Sequence, residues 1–214
     1  MALDRKIVIA TALKLLDEVG LEALTLRRLA ERLDVQAPAI YWHFKNKQDL
    51  LDEMATTVMR DESVRLRVKA HLEWKPWLLW YGRSVRRMLL EYRDGARMVS
   101  GTRLTDPTLY ESLEASLRKL RDAGFSTFEA TVILSTVYSY AVGYVIEEQA
   151  VFSQEGKKDE MYEVENRSRR MKADKTPLAI EAGSYLFTKF DRRFNSGLKL
   201  IIAGIEAQRA AGRR

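Results

Sequence analysis

The chain has 214 residues, 46% hydrophobic and 31% charged, with a formal net charge of +6 and no cysteine. That composition belongs to a folded globular protein of one large or two smaller domains, not to a disordered chain. It excludes a disulfide framework, a thiolate nucleophile and cysteine-based zinc. With His43 and His71 as the sole histidines, zinc held by imidazoles is not expected either.

Residues 4–19 are expected to form an amphipathic helix, with Ile9, Ala12, Leu13 and Leu16 on its buried face and Gly20 as its stop. Asp4, Lys14, Asp17 and Glu18 break up its apolar character, so no signal peptide is expected here. Thr25 caps the next helix, in which Leu26, Leu29, Ala30 and Leu33 recur at helical spacing. Asp34 ends it by competing for backbone hydrogen bonds. A third helix opens at Ala37-Pro38, because proline suits a first turn, and runs through Phe44. Two short helices around a tight turn make a helix-turn-helix, whose second helix can enter a DNA major groove.

Asn46 then caps a helix over about 46–63, with Asp49 in a capping-box-like place, and 61–73 reads as charged and irregular. Helical periodicity resumes from Trp74 and breaks at Arg93-Asp94-Gly95. A short helix covers about 95–100, and Asp106-Pro107 starts another that ends at Gly124. Ser126 and Glu129 form a capping box for a helix to about Gln149, apolar on most sides and so destined for a core or an interface. Residues 153–176 read as a polar mobile segment holding at most one short helix, and Thr176-Pro177 restarts order. The last helix spans about 190–209, with Gly197 and Gly204 on one face, where another helix can approach closely. The fold class is therefore all-α, with residues 1–47 as a DNA-binding domain, 48–214 as a second helical domain and 46–63 as the connector. No apolar run is expected to reach the ~20 residues of a membrane span, and the chain reads as cytoplasmic with no membrane partner.

The candidate DNA-binding residues follow from this layout. Gln36, Ala37, Pro38 and Ala39 stand at an exposed helix start. Thr25, Arg27, Tyr41, His43 and Lys47 can donate to phosphates, and Arg27 has the reach for a guanine edge. Short side chains at Ala37 and Ala39 permit close approach. Residues 1–47 carry eight Lys/Arg against six Asp/Glu, so placement and not bulk charge supports DNA. Tyr41, Trp42 and Phe44 remain open to a plainer role as core aromatics.

The pattern from Leu24 to Lys47, LTLRRLAERLDVQAPAIYWHFKNK, together with YRDGARMVSGTR at 92–103, GYVIEEQ at 143–149 and LKLIIAGIEAQ at 198–208, resembles the tetracycline-repressor family of bacterial transcription regulators over about residues 4–208. The resemblance implies an all-helical homodimer that binds a palindromic double-stranded operator and is released by a small-molecule inducer. It implies dimerisation through the helices at about 127–149 and 190–208, with Gly143, Gly197, Ile201 and Gly204 at the contact. Arg27, Pro38, Tyr41, Trp42, His43 and Lys47 match the family's DNA-side pattern. Leu26, Gln36, Ala37 and Ala39 do not, so a different operator is expected.

On the ligand side Arg103 and Glu147 match. Glu62/Ser63, Tyr81, Val85, Val99, Leu104, Ser116 and Ser139 differ from the family's drug-binding residues, and Val99 replaces a magnesium-ligating histidine. These changes, with Trp77, Trp80, Tyr138, Tyr140 and Tyr144 close in sequence, suit an aromatic-lined pocket for a flat hydrophobic ligand, although each aromatic also fits an ordinary core. No cofactor is expected, and magnesium only if the inducer is a tetracycline chelate. Glu147 reads as a pocket carboxylate or as surface charge, and Arg103 as an anion contact or a cap for carbonyls. The alternatives are a repressor responsive to tetracycline proper and, from another class, a helical small-molecule carrier or enzyme. No nucleophile–base pair or phosphate loop supports catalysis, so an enzyme is not expected.

Overall fold

Among the described residues eleven α-helices follow in chain order: α1 (Arg5–Ala23), α2 (Leu26–Arg32), α3 (Ala37–Tyr41), α4 (Lys47–Arg67), α5 (Trp74–Leu90), α6 (Gly95–Val99), α7 (Thr108–Asp122), α8 (Thr127–Ala150), α9 (Val164–Ser168), α10 (Pro177–Leu186) and α11 (Phe190–Ala211). The computed structural model describes residues 4–67, 71–152, 157–172 and 174–211, with main chain alone at 66 and 67. No strand occurs among them, and a 3-10 turn at Glu160–Tyr162 precedes α9.

The head is α1 to α3 laid on the first half of α4. Ile9, Leu16, Leu29, Ile40 and Phe44 meet Leu50 and Met54 in one continuous core. Such a head has too little interior to stand alone, and α4 supplies the missing wall. Gly20 breaks α1 at φ +77°, a left-handed conformation that glycine alone adopts without strain. Asp34 also sits at φ +53°. Val35 N–H reaches back to Ala30 C=O at 3.1 Å, so the main chain of Asp34, and not its side chain, stops α2. The expected cap of α4 is present: Asn46 Oδ1 accepts from Asp49 N–H at 2.9 Å, while the return bond from Asp49 goes to Lys45 N–H at 3.1 Å, one residue before the cap. α4 itself runs to Arg67, through a stretch whose charge pattern suggested irregular chain, because Glu62 and Ser63 are buried there.

The body is centred on α8, which packs against α5, α7 and α11. The Ser126–Glu129 capping box is present, with Ser126 N–H donating to Glu129 Oε2 at 2.6 Å. α8 is long and apolar enough to cross a bilayer by length and composition alone, where the sequence reading expected no such run, but core helices share that property. In the fold one side is buried against its neighbours, and the other carries Thr131, Ser135, Thr136 and Ser139, whose hydroxyls break the apolar run. Of the segment expected to be mobile, 153–156 and 173 lie outside the described residues. The rest forms the 3-10 turn and α9, and the Arg167 guanidinium lies 4.1 Å over the Phe187 ring.

Head and body meet where α1 ends. Asp94 accepts from Leu21 N–H at 2.9 Å, Asp17 from Arg93 N–H at 2.8 Å, and Glu18 C=O from the Arg93 guanidinium at 3.1 Å. Gln149, near the end of α8, donates to Tyr92 C=O at 2.8 Å. The broken end of α1 is therefore tied through the 92–94 turn to α8.

Candidate functional site

Thr25 caps α2, its hydroxyl accepting from Arg28 N–H at 3.2 Å. At the start of α3 Pro38 has no N–H, and Ala39 N–H is bonded to Gln36 C=O at 2.9 Å, so Ala37 has the one early N–H left for a phosphate. Tyr41 is 54% and Trp42 88% exposed, whereas Phe44 is 1% exposed under the Arg5 guanidinium. Of the three aromatics, Phe44 alone is core. Gln36 and Pro38 are exposed, Ala37, Ala39 and His43 half-buried. Arg27 is exposed and pairs with Glu31 at 3.1 Å, a weak surface pair that a phosphate can replace. Lys47 turns inward instead. Its ammonium donates to Leu21 C=O at 2.5 Å and lies 3.5 Å from Glu22 C=O, and desolvation by burial lowers its pKa against the raising effect of Glu22. It holds the end of α1.

Between α4, α5, α7 and α8 lies a cavity of about 460 Å³. Met59, Val85, Met88, Leu109, Leu117 and Leu134 give it an apolar wall, and Tyr81 and Tyr138 face into it. Burial pushes both phenols above their ordinary pKa, with Tyr138 adding to the effect at Tyr81, so both remain neutral. Trp77 stacks behind Tyr81 with ring centroids 5.5 Å apart. Ser63, Tyr81, Val85, Leu104 and Ser116 of the expected ligand set line the cavity. Val99 is buried elsewhere in the core, and Arg103, Ser139 and Glu147 are exposed and outside the lining. Ser139 and Glu147 fall on the outer stripe of α8, turned away from the Leu134 and Tyr138 face. Tyr140 and Tyr144 also leave the pocket: their hydroxyls donate to Phe194 C=O at 3.1 Å and Phe190 C=O at 2.8 Å, fastening α8 to α11.

Of the expected dimer contacts, Gly143 and Gly204 are exposed, and an added Cβ at either meets nothing within 4 Å. Gly197 differs, because a Cβ there would fall on the Tyr140 hydroxyl of the same chain. Ile201 is half-buried against the core.

A second hollow of about 530 Å³ lies at the joint of α1, α6 and α8. Its Asp17, Arg93, Asp94 and Gln149 already bond one another's elements, so it reads as a hinge joint and not as a ligand site.

Residues 8–54 match the tetR family of bacterial regulatory proteins, and residues 70–209 match the tetracyclin repressor-like C-terminal domain. The chain is similar to the class C tetracycline repressor of Escherichia coli, 41% identical over 209 residues that cover 97% of this chain and 92% of that one. It belongs to the tetracycline-repressor family. Among solved structures it is similar to a possible TetR-family transcriptional regulator from Streptomyces coelicolor A3(2), with 34% identity, TM-score 0.84, and coverage of 95% and 99% of the two chains. It is similar also to the class A TetR in complex with 5a,6-anhydrotetracycline and magnesium, with 36% identity, TM-score 0.69, and coverage of 96% and 99%.

A magnesium chelate does not fit the residues of this family member. Magnesium asks for free hard oxygens. The carboxylates on the cavity wall are Glu62, bonded by Arg87 at 3.1 Å and Arg65 at 3.3 Å, and Asp106, bonded by Arg60 at 3.4 Å and by Thr108 N–H at 2.9 Å. Val99 offers no donor.

Two buried polar groups were missed in the sequence. Asp52 accepts from Arg103 N–H at 3.0 Å, and Thr56 accepts from Thr105 N–H at 2.9 Å while donating to Asp52 C=O at 2.7 Å. They clasp the 102–106 loop, one wall of the cavity, onto α4. Their spacing of four on the apolar face of α4 was the available signal. The other omission is Glu148, buried in a two-pronged pair with Arg86 at 2.6 and 2.8 Å.

Proposed function

We propose that this chain is a homodimeric repressor: two α3 helices enter successive major grooves of a palindromic operator, and a flat, weakly polar small molecule in the α4–α5–α7–α8 cavity releases it. One observation carries the reading. α4 is a single helix that floors the head with Leu50 and Met54 and walls the cavity with Met59, Glu62 and Ser63. A ligand that pushes on one end has a rigid lever to the other. Moving the equilibrium from 99:1 bound to 1:99 needs about 5.5 kcal/mol of differential affinity.

Residues 1–47 serve as the head and 48–214 as the body, with the α4 segment 46–63 between them. Thr25, Arg27, Gln36, Ala37, Pro38, Ala39, Tyr41, Trp42 and His43 face or frame the DNA. The apolar cavity and its occupied carboxylates support an inducer other than a tetracycline–magnesium chelate. Binding, not catalysis, is the role the cavity supports, since no nucleophile–base pair stands in its described wall. A regulator of this kind works in the cytoplasm.

The test is an operator fragment selected from random DNA with the full-length protein. Tyr41→Ala and Trp42→Ala remove exposed side chains at little cost to folding. Each is expected to weaken operator binding at least tenfold in fluorescence anisotropy, with melting temperature unchanged. Wild-type affinity in both variants would overturn the role given to α3.

A further inference from the structure

α2 carries three arginines on two flanks. Arg28 and Arg32 turn towards α1. The Arg28 guanidinium donates to Ala23 C=O at 3.2 Å, and Arg32 donates to both oxygens of Glu18 at 2.5 and 3.0 Å. Arg27 lies about 100° away from Arg28 around the helix and leaves that side. Its side chain is 87% exposed, and its Nε donates to Glu31 Oε1 at 3.1 Å, one turn further along the same flank. Glu31 is 61% exposed.

The contact occupies Nε and not the two terminal nitrogens of the guanidinium. Two parallel donors on that far edge match the O6 and N7 acceptors of guanine in the major groove. A phosphate can also take the guanidinium, but it brings an anion up to the Glu31 carboxylate, and like charges repel. A guanine edge is neutral and lets the Arg27–Glu31 contact stand. In the groove, with less water around it, that contact strengthens.

We propose that Glu31 is a positioning residue for operator reading. It holds Arg27 by Nε and so directs the guanidinium to a guanine in each half-site instead of to a phosphate. The inference rests on the repressor reading above. A surface carboxylate without this role has the opposite signature, because it would only weaken binding to every DNA by repelling the backbone.

The experiment uses full-length wild type, Arg27→Ala, Glu31→Ala and Glu31→Gln. Each selects duplexes from one random pool at one salt concentration. Fluorescence anisotropy then measures each protein on the wild-type operator, on operators changed at single positions of both half-sites, and on a random-sequence duplex. Arg27→Ala is expected to lose the preference for guanine at one position of each half-site. Glu31→Ala is expected to lose that same preference and to bind the wild-type operator about tenfold more weakly. Its hold on the random duplex should be unchanged or tighter, since a negative charge is gone. Glu31→Gln keeps an oxygen to accept from Nε and is expected to keep the guanine. Both positions are exposed, so melting temperature should not move.

An Arg27→Ala protein with unchanged sequence preference would overturn the proposal. So would a Glu31→Ala protein that keeps its guanine and binds every duplex more tightly. A wild type that selects no common sequence overturns the repressor reading as well, whereas a wild type that selects a palindrome leaves the Glu31 variants to decide this inference alone.

Discussion

Glu147 and Glu148 are neighbours in sequence and about 100° apart on α8, and that angle separates a surface charge from a structural one. Glu148 shares its face with Ala141, Tyr144 and Val145, which point inward, and there it meets Arg86, itself held over the Tyr144 and Phe194 rings at 5.9 and 5.2 Å. Glu147 shares its face with Gly143 and is exposed. Removing one partner of a buried pair strands the other. Arg86 retains a bond to the exposed Asp191, so the loss belongs at the low end of the range for such pairs. Glu148→Ala is expected to lower stability by about 3 kcal/mol, read as a shifted urea midpoint, whereas Glu147→Ala stays within about 0.5 kcal/mol of wild type. Equal shifts would show that the pair carries no net stability. The helical phase of Glu148 was readable in the sequence; its partner Arg86, sixty-two residues away, was not.

The same distinction decides which elements were legible. Helix starts were, because a capping side chain and the N–H it accepts from lie within four residues: Thr25 for α2, Asp106 for α7, the Ser126–Glu129 box for α8. Contacts made across the fold were not: Lys47 bonds the end of α1, and Tyr140 and Tyr144 fasten α8 to α11 instead of lining the pocket. The clasp on α4 is such a contact, since Asp52 and Thr56 bond main-chain groups about fifty residues on. Thr56→Val keeps the shape but leaves Thr105 N–H without its acceptor. Thr105 is exposed, so water can take up that N–H, and the loss is that of one ordinary hydrogen bond, about 0.5–1.5 kcal/mol. The expected outcome is a loss in that range and faster hydrogen exchange at the Arg103 and Thr105 amides, measured by mass spectrometry or NMR. Unchanged exchange at both amides would mean that the loop is held by its apolar contacts and that α4 is not clasped.

At the scale of the whole molecule, the open question for the fold is what covers α8. Its outer stripe runs Phe128, Val132, Ser135, Ser139 and Gly143, and α11 offers Leu200, Ala203, Gly204 and Ala207 beside it, all exposed. Phe128 at 78% and Leu200 at 74% exposure are costly to leave in water, and the small residues between them let another helix come close. A second copy of the same stripe, related by a two-fold axis, satisfies both features.

The glycines then make a test whose sign is informative. Inside a helix, glycine costs about 1 kcal/mol relative to alanine, and in the single chain nothing lies within 4 Å of a Cβ at Gly143 or Gly204. On a free surface Gly143→Leu would therefore stabilise the protein. At a close helix contact it forces the two chains apart. We expect the second outcome: sedimentation should move from twice 24.7 kDa to 24.7 kDa at micromolar concentration, and operator affinity should fall because one head now binds without the other. Gly204→Leu should act in the same way from α11. A more stable protein of unchanged mass would remove this stripe from the interface and leave Phe128 and Leu200 to another partner.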